Sequence, residues 1–181
     1  MPYGAHETME VHEILNEKIN LINHFGLYRQ QCQDPALEQM LHRHSLTAID
    51  SYNQLVSYTH DYMRVSQYNE PNAMARNIRP QNVRYGLQNA QPQSPKMQGS
   101  LNDQQITSAM LSFHKNSAKN SLSAALECAD PNVRQLLMNS SIICTNQAYE
   151  VFMYLNKKGM YQVPTMEADT ARTYLHSYQP M

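Results

Sequence analysis

The chain has 181 residues, a formal net charge of −1 and only 16% charged residues. This length suits one domain of ordinary size with a buried core and is too short for two substantial domains. The near-neutral charge provides no electrostatic attraction toward nucleic acid or an acidic membrane surface, so we expect neither as a partner.

The first predicted element is an amphipathic helix from about Thr8 to Gln31. Its apolar residues recur at helical spacing, and charged residues lie elsewhere on the helical wheel. The apolar set is Val11, Ile14, Leu15, Ile22, Phe25 and Tyr28, and the charged set is Glu10, Glu13, Glu17 and Lys18. A glycine inside a helix costs about 1 kcal/mol relative to alanine. We therefore interpret Gly26 as the mark of a closely approaching neighbour.

A tight turn, Cys32-Gln33-Asp34-Pro35, follows and opens the second helix. Asp34 is a good N-cap, and Pro35 stands at the first helical position, where its missing N–H costs nothing. The second helix is predicted from Pro35 to about Arg64. Residues 1–64 therefore form a first helical hairpin.

Residues 65–100 are polar and rich in Pro, Gln and Asn. Without a run of apolar residues this stretch cannot offset its ordering entropy, so we predict a long linker open to proteases. An RNA-binding arm is the alternative. Its basic residues are scattered, and only two tyrosines could stack on bases. Those residues are Arg76, Arg79, Arg84, Lys96, Tyr68 and Tyr85.

A second hairpin is predicted over residues 101–162. Its first helix begins at Asn102 or Asp103 and runs to about Cys128; its second runs from Pro131 to about Lys158. Gly159 suits the position after a helix end, and the next residues would fold back over the last helical turn. We expect residues 163–181 to form an irregular tail.

The two hairpins are a weak internal repeat with a period of 96 residues. Residues 32–60 align without a gap on 128–156, and the alignment matches the Cys-x-Asp-Pro turn and places Tyr58 on Tyr154. At the positions that carry Leu21, Ile22, Phe25 and Arg29 in the first copy, the second has Ser117, Ala118, Ser121 and Ala125. Small residues let helices approach closely. We predict an all-α, four-helix bundle of two docked hairpins, each unable to cover its apolar face alone.

The second hairpin resembles the Coat F domain of the spore coat protein F family of endospore-forming bacteria. The resemblance rests on Leu-x-Asp-x-x-Ile at 101–106, Cys128-x-Asp130-Pro131-x-Val133-Arg134-x-Leu136 and Lys158-Gly159-Met160-Tyr161. It implies a ferritin-like bundle and a structural role in the spore coat. We expect other spore coat proteins as partners, and further copies of this chain are an additional candidate. The resemblance also implies synthesis in the mother-cell cytoplasm, and no secretory signal peptide is expected.

A ferritin-like bundle raises the alternative of a metal or redox protein. Di-iron bundles need Glu-x-x-His on two helices, and the sequence contains no such motif. The candidate ligands are His6, Glu10, His12, Glu13, Glu17, His24, His42, His44 and His60 in the first hairpin, and His114, Glu127 and Glu150 in the second. We expect no metal, cofactor or catalytic residue.

The cysteines are an odd set of three, Cys32, Cys128 and Cys144, which argues against a disulfide scaffold. Asp34 and Asp130 lie close to the first two and would raise the thiol pKa, so we interpret these cysteines as packing residues. The remaining alternative is a generic helical adaptor with no role in spores.

Overall fold

The computed structural model describes residues 4–60, 82–87 and 99–181. It contains five helices: α1 (Ala5–Gln31), α2 (Pro35–His60), α3 (Asp103–Glu127), α4 (Pro131–Lys157) and α5 (Ala168–Leu175). Strand-like pairing within these ranges is limited to isolated bridges between Val163 and residues 85 and 86. The predicted all-α class is confirmed.

Helices α1 and α2 form the first hairpin, and α3 and α4 form the second. Helix α1 packs on α2 and α3, and α4 packs on α3 and α2. Glu7, at the start of α1, lies at the end of α3, so these two helices are antiparallel. Helices α2 and α4 are also antiparallel, because Asp34 before α2 contacts Tyr154 near the end of α4.

Helices α2 and α3 are consequently parallel, and each lies diagonally across the bundle from the other. The end of α2 and the start of α3 therefore lie at opposite ends of a bundle roughly 40 Å long, at 1.5 Å per residue. Most of the intervening sequence lies outside the described residues, including 65–81 and 88–98 of the predicted linker.

Residues 82–87 are held on the second hairpin through the buried side chain of Asn156. Its Oδ1 accepts a hydrogen bond from the Arg84 N–H at 2.8 Å, and its Nδ2 donates to the Arg84 carbonyl at 3.0 Å. The Gly86 N–H donates to the Val163 carbonyl at 3.0 Å. This part of the predicted linker is docked, and Arg84 is fixed through both of its backbone polar groups.

The hydrophobic core fills both ends of the bundle. One cluster surrounds Phe25, Leu41 and Val151, and the other surrounds Leu55, Ala125 and Leu137. Three of the four small residues predicted to face inward in α3 are buried, namely Ser117, Ser121 and Ala125. Ala118 is half-buried, and its carbonyl accepts a hydrogen bond from the Ser141 hydroxyl of α4 at 2.8 Å. Helices α3 and α4 therefore approach closely.

Two expectations for α1 are wrong. A β-carbon added at Gly26 would meet nothing within 4 Å, so this glycine marks no close neighbour. Lys18 was placed on the charged face, yet its side chain is only 8% exposed and donates to Ser140 of α4. Because both α2 and α3 cover α1, the buried face of α1 includes residues beyond its apolar set, such as Lys18.

The expectation of an irregular tail is also wrong in part. Residues 168–175 form α5, an exposed helix in which no residue is buried. Before it, Gly159 adopts a φ of +73°, and the Met160 N–H donates to the Leu155 carbonyl at 2.8 Å. This is a Schellman-type ending of α4, and the chain folds back there as predicted.

Candidate functional site

The strongest candidate site is the polar contact surface between the two hairpins. At the first interhelical turn (residues 32–34), Asp34 joins both hairpins. Its Oδ1 caps α2 by accepting from the Ala36 N–H at 2.8 Å. Its Oδ2 accepts from the Tyr154 hydroxyl at 2.8 Å and from the Lys158 ammonium at 2.6 Å, both in the second hairpin. The bond from Lys158, followed by that from Tyr154, holds the pKa of this carboxyl well below its usual range.

The second interhelical turn (residues 128–130) repeats this arrangement with the hairpins exchanged. Asp130 Oδ1 caps α4 by accepting from the N–H groups of Asn132 and Val133, at 2.7 and 3.2 Å. Its Oδ2 accepts from the hydroxyl of Tyr58, in the first hairpin, at 3.1 Å. Asp34 pairs with Tyr154 while Asp130 pairs with Tyr58, so equivalent residues of the repeat bind across the interface rather than within a hairpin.

The acidic residues in the first turns of α1 and α3 complete the same pattern. Asp103 accepts from the backbone N–H groups of Gln33 and Asp34, at 2.9 and 3.0 Å. Glu7, which lies 96 residues before Asp103, accepts from the backbone N–H of Asp130. Each hairpin therefore satisfies backbone donors in the interhelical turn of the other.

The bundle interior contains a third pair of equivalent contacts. Lys18 of α1 donates to the Ser140 hydroxyl of α4 at 2.9 Å, and His44 Nδ1 of α2 lies 3.0 Å from His114 Nε2 of α3. Lys18 is equivalent to His114, and His44 to Ser140, under the same shift of 96 residues. Both contacts cross the bundle diagonally. The two hairpins are thus related by an approximate two-fold axis perpendicular to the helices.

His44 is the centre of the larger interior network. Its Nε2 lies 3.0 Å from Glu150 Oε2, and Glu150 Oε1 pairs with Arg43 at 2.5 Å. The bond from His44 is the main cause that lowers the pKa of Glu150. With an ionised Glu150, the His44 Nε2–H donates to the carboxylate, and His44 Nδ1 and His114 Nε2 share one proton in their hydrogen bond. Burial, then His44, holds the pKa of His114 well below 6.5.

Cysteine thiols at the interhelical turns are protonated packing groups. Cys32 Sγ donates to the Asp34 carbonyl at 3.4 Å, and Cys128 Sγ donates to the Ala124 carbonyl at 3.2 Å. Burial, reinforced by nearby carboxylates, raises the pKa of both thiols to about 11. The pKa of the buried Cys144 thiol is raised as well. Since the thiolate is the reactive form, these cysteines are poor nucleophiles at neutral pH.

The structure brings together only a few of the metal-ligand candidates. His44, His114 and Glu150 meet in the interior, whereas the other candidate histidines of the first hairpin are exposed, and so is Glu127. Within residues 4–60, 82–87 and 99–181, no group of three or more His, Cys, Asp or Glu side chains could hold a metal ion. The nitrogens and oxygens of His44, His114 and Glu150 bond to one another and do not converge on a common point.

A shallow groove of about 400 Å³ between α1 and α3 is lined by Glu10, Glu13 and Glu17. Glu17 is already engaged, because its carboxylate accepts from Ser117 and, at 2.7 Å, from Asn120 of α3. These contacts join the hairpins along the middle of α1. The helical wheel placed all three glutamates among the charged residues away from the apolar stripe, and the repeat gave no sign of the role of Glu17 because Ser117 has an apolar counterpart, Leu21.

Across the part of the chain that the structure describes, none of the helices combines the length and apolar character needed to cross a membrane.

Two comparisons with known proteins identify one family, and a third matches the fold. Residues 102–164 match the model of the Coat F domain. The spore coat protein F-like protein YhcQ of Bacillus subtilis (strain 168) is 30% identical over 178 residues, which cover 98% of this chain and 81% of the relative. The fold matches the crystal structure of BH2358, a protein assigned to the spore coat of Bacillus halodurans C-125. The TM-score is 0.68 at 12% identity, over 93% of this chain and 98% of that one.

Proposed function

This chain belongs to the spore coat protein F family, and from that premise we propose that it is a structural component of the bacterial spore coat that acts through protein–protein contacts. Its role would be to contribute to coat assembly and spore resistance. The family assignment and the matching fold support a coat-related role. The protein–protein contacts, and the part in assembly and resistance, are our inference.

One observation carries the proposal. Several polar side chains of the family-matched hairpin bind the other hairpin. Asp103, Asp130 and Tyr154 all bond across the interface, and Ser140 accepts from Lys18 of the first hairpin. A protein whose polar groups are used to fix one helical assembly is suited to a scaffold role.

A second candidate, a ferritin-like metal or redox protein, is favoured by the meeting of His44, His114 and Glu150 in the interior. Their mutual bonds and the Arg43–Glu150 ion pair oppose it, because a cation would have to displace these partners. Metal analysis of the purified protein separates the two candidates. We expect substoichiometric iron, manganese and zinc; one bound transition metal per chain or more would favour the metal protein.

We further propose that the protein is made in the mother cell and that its partners are other coat proteins. Expression timing tests this part. Immunodetection through a sporulation time course should find the protein after the onset of sporulation and not during growth. Detection in vegetative cells alone would contradict a coat role and would favour a generic helical adaptor.

A further inference from the structure

The hairpins recognise each other through three sets of contacts, and each set occurs twice. The pairs Asp34–Tyr154 and Asp130–Tyr58 form one set. The second set consists of Asp103 on the first interhelical turn and Glu7 on the second. The third comprises the diagonal contacts in the interior. Without the other hairpin, each loses these polar partners and exposes its apolar face to water, so each is completed by its counterpart.

The interface is nevertheless selective for unlike hairpins. Phe25 of α1 is fully buried and packs edge-on against His114, with ring centroids 5.4 Å apart. Its equivalent in α3 is Ser121. Two first hairpins would bury two Lys18 side chains near each other, because Lys18 is the equivalent of His114, and two second hairpins would leave a void where Ser121 replaces Phe25 beside His114. Neighbouring buried ammonium groups and cavities are both destabilising, so a first hairpin prefers a second hairpin as its partner.

Nothing in these contacts requires the two hairpins to belong to one chain. The described hydrogen bonds between hairpins join α1, α2 and the turn between them to residues 101–158 of the second hairpin. The first hairpin can therefore be supplied by a different copy with every described contact between hairpins preserved. The balance then depends on effective concentration, which is on the order of mM for flexible connections and falls as they lengthen.

We propose that this protein self-assembles by hairpin exchange, in which α1 and α2 of one copy dock on α3 and α4 of another. Because the exchanged contact joins unlike surfaces, reciprocal exchange gives a closed dimer and sequential exchange gives an open chain. This exchange names a second copy of the chain as a partner in the structural role proposed above. Its relevance to the spore coat rests on that proposed function, whereas the exchange itself is a property of the purified protein.

Complementation between two full-length variants tests the exchange. Phe25→Asp disables the first hairpin and Leu137→Asp the second, since both side chains are fully buried. Each variant is expected to lose most of its helical circular dichroism. When the two are mixed in urea and diluted together, the intact first hairpin of one can dock on the intact second hairpin of the other. We expect roughly half of the lost helical signal to return, in a 1:1 heterodimer, because one of its two hairpin pairs is intact.

A matched mixture serves as the control. Phe25→Asp with Leu41→Asp places both disabling changes in the first hairpin, and this mixture should recover no signal. Failure of the first mixture to exceed this control overturns the proposal. A single variant that remains folded and monomeric also overturns it, because the hairpins would then not need each other.

The wild-type chain provides an independent measurement. Refolding from urea at increasing protein concentration should raise the fraction of dimers and larger species in sedimentation, and these should return to monomer only slowly after dilution. A purely monomeric wild type up to mM concentration contradicts exchange. This would leave the coat role standing, because that role is tested by the location of the protein in spores.

Discussion

The bond between Tyr154 and Asp34 gives the sharpest test of the contact between hairpins. The substitution Tyr154→Phe removes only the hydroxyl that donates to Asp34 Oδ2 at 2.8 Å. Burial, then the bond to Asp34, raises the pKa of this tyrosine, so the hydroxyl remains a donor throughout the neutral range. The ring stays in place, and no large cavity is created.

The expected cost follows from the other partners of Asp34. A hydrogen bond to a charged group contributes about 1.5–3 kcal/mol. The carboxylate keeps Lys158 and the Ala36 N–H as partners, so it is not left unsatisfied and the cost should lie near the lower limit. We therefore expect Tyr154→Phe to lower the free energy of unfolding by about 1.5 kcal/mol.

Urea unfolding of Tyr154→Phe, Asp34→Asn and the double variant completes a thermodynamic cycle. We expect a coupling energy of about 1 kcal/mol, since the double variant loses the same bond only once. Tyr174→Phe is the matched control, because Tyr174 lies on α5 with 69% of its surface exposed, and it should leave the midpoint unchanged. Additive effects of the two substitutions would refute the contact between hairpins at this position.

Four further substitutions test other parts of the structure by urea unfolding. Gly26→Ala should stabilise by about 1 kcal/mol, since the site is helical and open; a loss would show a neighbour there. Asp130→Ala should cost on the order of 1 kcal/mol by removing the cap of α4, and an unchanged midpoint with unchanged slope would show that it caps nothing. Lys18→Met should stabilise by roughly 1 kcal/mol because it removes a buried amine whose pKa is lowered by burial; destabilisation would mean that its bond to Ser140 outweighs the cost of desolvation. The folded-state pKa of His114 lies below its unfolded value, so stability should fall as pH drops below about 6.5, by up to 1.4 kcal/mol per pH unit. His114→Gln should flatten that slope, and an equal slope in both proteins would contradict it.

Much of the helical architecture could be predicted because it depends on local chemistry. The Asp-Pro turns fix the starts of α2 and α4, and the capping box of Asn102 and Gln105 fixes the start of α3. Lys18 could not be placed correctly, since a helical wheel shows which residues share a face but not how many neighbours cover that helix. Helix α5 was missed because its eight residues are fewer than the window over which helical periodicity is read.

The interface between hairpins was only partly accessible from sequence. The repeat aligned Asp34 with Asp130 and Tyr58 with Tyr154. It could not show that each aspartate pairs with the tyrosine of the other copy, because an alignment contains no information on which units dock. Extending the same shift of 96 residues to Glu7 and Asp103 would have indicated a further equivalent pair.

The location of the protein in mature spores tests the central claim most directly. Purified spores of a strain that carries an epitope-tagged copy should be separated into an extracted coat fraction and a decoated core fraction, and both should be probed for the tag. Membership of the spore coat protein F family predicts that the protein is in the coat extract and depleted from the core. Recovery in the core fraction, with none in the coat extract, would contradict a structural role in the coat.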